Sequence, residues 1–377
     1  STRGVGDLPL HLLGSSCLCH RSEKTMKIAF LHMTMGITTR GSEVVVDNLA
    51  IALSKKHDVM VIQSGKAEPK PYLVKRVYPL SEAPSVAPSN IIDKLMFRLH
   101  LDNESEAVAQ FTKKVLPQLA SFDPDIIVAI NGPLQLRILQ GLALKAKLVV
   151  FGHAGIGYHD RDNLRSNPDL FVALTPTALS WAQGIAPSNT KVVYIPNPVR
   201  SVKPKTTKLN LPSPVVLTVS ALSKYKNIDK VLQAIEGLPY SWILIGDGEE
   251  RGEIENGFST LANDFRWLRE VEQGEIMSYY HSSDVFCFIP DPQEAFGMVY
   301  LEAMSAGLPI VASDDPVRRD LIGEQGIYVD PNDQESVIRG IQKATTMGRL
   351  DYSKELAPYS LKTVVAQINK EFHDLIS

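Results

Sequence analysis

Eight short apolar runs constrain this chain more than anything else in it. They read "KIAFLH", "DIIVAI", "KLVVFG", "DLFVALT", "PVVLTV", "SWILIG", "DVFCFI" and "LPIVAS". Each is continuous rather than alternating. A strand with one wet face alternates, whereas a continuous run marks a strand buried on both faces. Segments of helical spacing lie between them, at residues 42–56, 133–144, 176–186, 227–237 and 299–306. Strand and helix in alternation predict parallel sheets, because a parallel connection must cross back over the sheet.

The series runs twice. The first closes at "VVYIPNPVR", Val192–Arg200, and "SVKPKTTKLNLPSP" follows, poor in apolar residues and reading as a linker. The second begins at Pro214. A chain of 377 residues exceeds a single core. The expected fold is α/β, with two Rossmann-like parallel-sheet domains over residues 26–199 and 200–358. Apolar spacing at Val364, Val365, Ile368, Phe372 and Ile376 marks a last helix within residues 359–377. No fixed period marks a solenoid.

Residues 1–25 are irregular and precede "MKIAFLH" as an extension outside the fold. Their apolar patch "LPLHLLG" is short for a signal peptide. Apolar runs are too brief for a transmembrane helix. Three cysteines, Cys17, Cys19 and Cys287, fit a reducing, cytoplasmic setting. Cys17, Cys19, His20 and His11 lack a second cluster at zinc spacing, so no metal site is expected. Residues 26–199 carry 18 Lys and Arg against 14 Asp and Glu, and residues 200–377 carry 18 against 26. The mildly basic first half suits an anionic partner or plain surface scatter, and nothing resembles a nucleic-acid footprint. "IIDKLMFRLH", residues 91–100, has the spacing of an amphipathic helix with basic residues. Packing on its own domain is the commoner use of such a helix, and peripheral membrane contact is the other.

The chemistry concentrates in "DVFCFIPDPQEAFGMVYLEAMSAGLPIVAS". Glu294 and Glu302, with seven residues between them, sit in an otherwise apolar stretch. Glu294 falls in the loop at a strand's carboxyl end, where open parallel sheets bind ligands. Phe296-Gly297 opens the helix that carries Glu302. Amides over Gly297–Val299 are unpaired donors suited to phosphate, and Gly297 has no side chain to block its approach. Carboxylates accept from sugar hydroxyls. Phosphate donors between two hydroxyl acceptors match the outline of a nucleotide-sugar.

This segment resembles the signature of family 4 glycosyltransferases, retaining enzymes of the GT-B fold, and the likeness spans residues 26–377. The resemblance implies that the two domains face a cleft and that the helix over residues 359–377 returns to the first domain. It implies that Glu294 contacts the donor sugar and Glu302 the ribose. Backbone of Phe296, Gly297, Met298 and Val299 would bind sugar hydroxyls and phosphate. "VSALSKYKNIDKVLQA" is similar to the family's phosphate segment, where an arginine and, five residues on, a lysine grip the diphosphate. Lys226 matches the lysine, with Lys224 beside it. Ala221 stands where the arginine would be, and a lysine alone is only a point charge. "IGDGEE" places Gly246 near the nucleotide. In the loop over residues 32–41, Gly36 and Gly41 match loosely, with Thr34, Thr38, Thr39 and Arg40 as candidate acceptor or phosphate contacts. "VVFGHAGIGYHD" places His153 near the reaction centre, with His159 and Asp160 as second choices, and "YIPNPV" places Asn197 in the cleft.

The likeness implies transfer of a sugar from a nucleotide-sugar donor to a glycan or lipid-linked acceptor, with retained configuration and no cofactor or metal. Glu294, His153 and Lys226 would serve the reaction, and a cytoplasmic enzyme at the inner membrane face is the expected setting. Two alternatives remain. Ala221 favours a weak or inactive binder of sugar nucleotides or of a partner transferase. A sugar-nucleotide epimerase shares the architecture, but the Glu-x7-Glu string is not its mark.

Overall fold

The computed structural model describes residues 25–377 apart from 39, 85–90, 143, 200–210, 259–263 and 273, with backbone alone for 91–94 and 258. Cys17, Cys19, His20, His11, Thr39 and most of the linker lie outside the described residues.

Two parallel sheets form, as the apolar runs require. The first holds β1 (Lys27–Leu31), β2 (Asp58–Gln63), β3 (Leu73–Arg76), β4 (Ile126–Ala129), β5 (Lys147–Phe151), β6 (Leu170–Ala173) and β7 (Lys191–Tyr194). Its order is β3-β2-β1-β4-β5-β6-β7. The second holds β8 (Val215–Val219), β9 (Ser241–Ile245), β10 (Phe265–Leu268), β11 (Val285–Phe288), β12 (Ile310–Ser313) and β13 (Ile327–Val329), in the order β10-β9-β8-β11-β12-β13. Every strand pair is parallel.

The central strands are buried along their length: β4, β6, β8, β9, β11 and β12 expose no residue. Each Val, Leu, Ile or Phe buried there contributes about 1.5–3 kcal/mol, which drives the helices onto both faces. In each sheet the strand order reverses next to the first strand, between β1 and β4 and between β8 and β11. Such switch points open crevices at the carboxyl ends of the strands. The Leu361–Ile376 helix returns to the first domain, where Asn369 Oδ1 meets His57 Nε2 at 3.0 Å and Glu371 pairs with Lys191 at 2.6 Å.

In the Ile91–Arg98 helix the side chains are described from Leu95 onward, and there Phe97 is half-buried. Leu95, Met96, Leu99 and Leu101 are all exposed, Leu101 by 61%. Its attachment runs through Phe97, edge-on to His159 at 5.0 Å, and Arg98, stacked over Tyr158.

Candidate active site

Loops leaving β8 and β11 carry the second domain's share of the site. Lys226 closes the 3-10 turn Lys224–Lys226 and forms an ion pair with Glu294, both side chains being 13% exposed. Its Nζ also lies over the rings of Tyr225, at 4.6 Å, and Phe288, at 5.4 Å. Next in line, Asn227 donates to the Ile289 carbonyl and to Asp291 Oδ1, each at 2.9 Å. The two loops are thus tied side by side, and the pairing of Lys226 with Glu294 follows.

The Met298–Ser305 helix begins at Gly297, whose φ is 86°, and no side chain caps it. First-turn amides without a side-chain cap form an anion site. Gly297 is dictated by more than ligand access: a Cβ there would lie 2.7 Å from the Tyr300 ring. Phe296 is a core residue, while Met298 and Val299 are half-buried. One turn on, Glu302 accepts from the fully buried Tyr280 hydroxyl at 2.7 Å. Burial pushes the Glu302 carboxyl up to about 7, against the opposing pull of Tyr280.

The first domain supplies two loops. His153 follows β5, and neither of its ring nitrogens has a hydrogen-bond partner among the described residues. Burial pushes it down to about 4, helped by His32. Asn197 pulls weakly the other way without reaching hydrogen-bond geometry, and its Oδ1 is likewise unpartnered among the described residues. At neutral pH His153 is therefore an uncharged imidazole able to exchange hydrogen bonds with a ligand hydroxyl. The other loop, after β1, is gathered by Glu43. Its carboxylate accepts from Thr34 and Thr38 hydroxyls at 2.7 Å, from Ser42 at 3.1 Å and from the Arg40 amide at 3.2 Å. Burial would raise Glu43, but His32 and those hydroxyls outweigh it and the net direction is down.

The two halves meet. A Cβ on Gly155, two residues past His153, would lie 2.9 Å from Ala295, one residue past Glu294. A Cβ on Gly41, at the start of its helix, would lie 3.7 Å from Met298 Cγ. The His153 loop and the Glu294 loop therefore share one cleft.

Other candidates serve their own loops. A Cβ on Gly246 would fall 1.9 Å from the Ser220 carbonyl, and on Gly36 2.5 Å from that of Lys66, so both answer to backbone packing. Thr34 and Thr38 are taken by Glu43. Asp160 is buried, bonds Asn163 and is pushed up to about 7 by burial, and His159 faces the Ile91–Arg98 helix. Lys224 and Ala221 are exposed. Sequence reasoning missed His32, Glu43 and Tyr280. Glu43 had a signal, an acid in a helix's first turn; the other two had none.

Residues 199–362 match the family described as "Glycosyl transferases group 1". The second domain is a group 1 glycosyltransferase domain. The match contains Lys226, Glu294, Glu302 and the open helix N-terminus. Across nearly the whole chain, a protein of Haemophilus influenzae described as an uncharacterized glycosyltransferase is 27% identical over 334 residues, 84% of this chain and 89% of that one. The phosphatidyl-myo-inositol mannosyltransferase of Mycobacterium leprae is 32% identical over 131 residues, 32% of this chain and 35% of that one. In fold, the chain is similar to Anabaena HepE, solved in complex with UDP and glucose: TM-score 0.65, 19% identity, 92% of this chain and 99% of that one. The architecture of the chain is GT-B, two parallel-sheet α/β domains. Among the described residues no helix is long and apolar enough to cross a membrane, and no group of three His, Cys, Asp or Glu could hold a metal ion.

Proposed function

We propose that this glycosyltransferase moves a sugar from a nucleotide-sugar donor to an acceptor hydroxyl with retention of configuration. One observation carries the reading. At the second sheet's switch point, Lys226 and Glu294 stand beside an uncapped helix N-terminus, with the His153 loop closed against them.

The diphosphate enters at Lys226 and the Gly297–Val299 amides. These donors offset the charge that builds on the leaving phosphate, in a site fixed before the reaction. Glu302 accepts from the ribose hydroxyls, and Glu294, released from Lys226 by the phosphate, accepts from the sugar. Neutral His153 bonds a sugar hydroxyl across the cleft. The acceptor hydroxyl attacks from the leaving-group side and passes its proton to the departing diphosphate oxygen. Contact between the domains excludes water, which would otherwise hydrolyse the donor.

A thermal-shift titration with UDP, GDP, ADP and CMP, with and without EDTA, tests the donor site. HepE was solved with UDP, so UDP is the first choice. At a hundred times its dissociation constant a ligand stabilises by about 2.7 kcal/mol. The expected result is a shift with one nucleotide that EDTA leaves unchanged, and an α-linked product from an α-linked donor. Nucleotide binding without turnover would favour the second reading, a sugar-nucleotide binder, for which Ala221 at the diphosphate segment speaks.

The acceptor in this reading is lipid-linked and reached at a bilayer surface. Leu95 and Met96 on the Ile91–Arg98 helix, and Leu99 and Leu101 just after it, are exposed close in sequence to Arg98, and the helix is joined to the His153 loop's side of the cleft through Tyr158. Leucines enter the acyl boundary and arginine meets anionic headgroups. The relative acting on phosphatidyl-myo-inositol gives this independent support. Wild type should float with anionic vesicles, and Leu95→Ser with Leu99→Ser should not, with the nucleotide shift unchanged. Equal flotation of the two would remove the bilayer from the reading. A concentration-dependent dimer lost in the double variant would assign these leucines to a second copy instead.

A further inference from the structure

Arg318, on the Pro316–Ile322 helix, is completely buried. A buried guanidinium carries a desolvation cost of several kcal/mol unless its partners repay it. One partner is Asp315, which receives Nε at 2.7 Å and also caps the helix through the amides of Val317 at 3.0 Å and Arg318 at 3.1 Å. That neutralises the charge. The rest of the fork points elsewhere: Nη1 donates to the Glu294 carbonyl at 2.7 Å, and Nη2 to the Asp291 carbonyl at 3.4 Å.

Those carbonyls belong to the turn that presents Glu294. Its opposite side is held by the diphosphate segment, through Asp291 N to the Tyr225 carbonyl at 2.7 Å, Asn227 to Asp291, and Lys226 to Glu294. The turn is closed by Glu294 N to the Asp291 carbonyl at 3.0 Å. Arg318 is thus the rear wall of a turn whose front wall is the donor site. Rotating the Glu294 peptide would break the Nη1 bond, leaving a buried donor unmade. A lysine would supply charge without the fork.

We propose that Arg318 is a positioning residue for the transfer reaction, setting the backbone of Glu294 so that its carboxylate addresses the donor sugar. Arg318 touches no substrate and acts through the turn. The inference rests on the reading of Glu294 as the sugar contact.

A double-mutant cycle between Arg318→Lys and Glu294→Gln tests it. Alone, Arg318→Lys should lower kcat by about 10- to 100-fold, the cost of a small misplacement at a reacting centre. The donor KM and the nucleoside diphosphate Kd should stay within about threefold, because the diphosphate contacts are untouched. In the Glu294→Gln background the same change should cost less than about threefold, since residues acting as one unit are not additive. Additive losses would reduce Arg318 to a structural residue and overturn the inference, as would a wild-type kcat in Arg318→Lys. Should Arg318→Lys fail to fold, Arg318→Met with Asp315→Asn removes both charges together and keeps an Asn cap. Wild-type turnover in that variant overturns the inference equally. If Glu294→Gln itself turns over like wild type, the sugar-contact reading has failed and takes this inference with it.

Discussion

At the scale of the residue, burial sets the charge of Glu302. Its carboxyl sits at about 7 against an ordinary value of 4.5, because burial penalises the charged form. Between those values the native protein keeps a proton that the unfolded chain has released. Stability from this group is full below about pH 4.5 and is lost as pH rises through 7, by up to about 3 kcal/mol. Glu302→Gln removes the titration and keeps an acceptor for Tyr280. It should stabilise the protein at pH 8 more than at pH 5, by about 2 kcal/mol in chemical denaturation. Nucleoside diphosphate affinity should fall by about tenfold, one charge-assisted hydrogen bond. Equal stability at both pH values would mean that Glu302 is not held near neutrality. Glu294 and Glu302 were legible in the sequence because an acid in an apolar run demands a reason. Arg318 was not: beyond Asp315, three residues before it, its partners are main-chain carbonyls 24 and 27 positions away. No residue pattern encodes such contacts.

At the scale of the element, legibility follows burial. All eight continuous apolar runs became strands, with ends within two residues of the quoted runs. Strands that escaped notice include β3, "LVKR", and β10, "FRWL", both at sheet edges, where one side has no neighbour and charge is admitted. The edge strand β13 has three residues, too few for any pattern. β2 was missed although central and buried. Helix starts show the same dependence on local physics. Gly297, at φ 86° and under the Tyr300 ring, cannot take a side chain freely. Gly297→Ala should therefore cost about 1–2 kcal/mol from the left-handed conformation alone, with a further cost from the ring. It should also turn the first-turn amides and weaken nucleoside diphosphate binding. A Cβ on Gly41, also at a helix start, would meet only Met298, at 3.7 Å. Gly41→Ala should be neutral or slightly stabilising, by at most about 1 kcal/mol. Melting both variants with and without nucleotide checks the pair, and a similar loss in both would show that neither glycine is special.

At the scale of the molecule, the sequence predicted two domains and a cleft but not how the domains meet. That geometry is fixed by surface contacts between residues far apart in the chain. Gly155 lies on Ala295, Gly41 faces Met298, and Tyr359 sets its ring at 6.2 Å from Phe296. The most specific contact between the domains is a charge-assisted hydrogen bond. Asp320, on the second domain's Pro316–Ile322 helix, accepts from the Thr177 amide at 2.7 Å. Thr177 lies in the first turn of the first domain's Pro176–Ile185 helix, where Pro176 has no amide hydrogen, Thr175 Oγ1 caps the Ala178 amide at 3.1 Å and the dipole favours a carboxylate at the remaining amide, that of Thr177. Asp320 thus acts as a capping acid supplied by the other domain. Such a bond at a helix terminus contributes about 1–2 kcal/mol, enough to change the share of closed molecules several-fold while leaving each core intact. Asp320→Ala should leave the melting temperature of the isolated protein nearly unchanged. In small-angle scattering it should show a larger radius of gyration, and saturating nucleotide at the proposed donor site should remove most of the difference. The donor KM should rise and kcat should fall together, the mark of a changed closure equilibrium rather than a lost contact at the reacting atoms. An unchanged radius with an unchanged KM would show that the glycine-mediated contacts hold the domains without this bond.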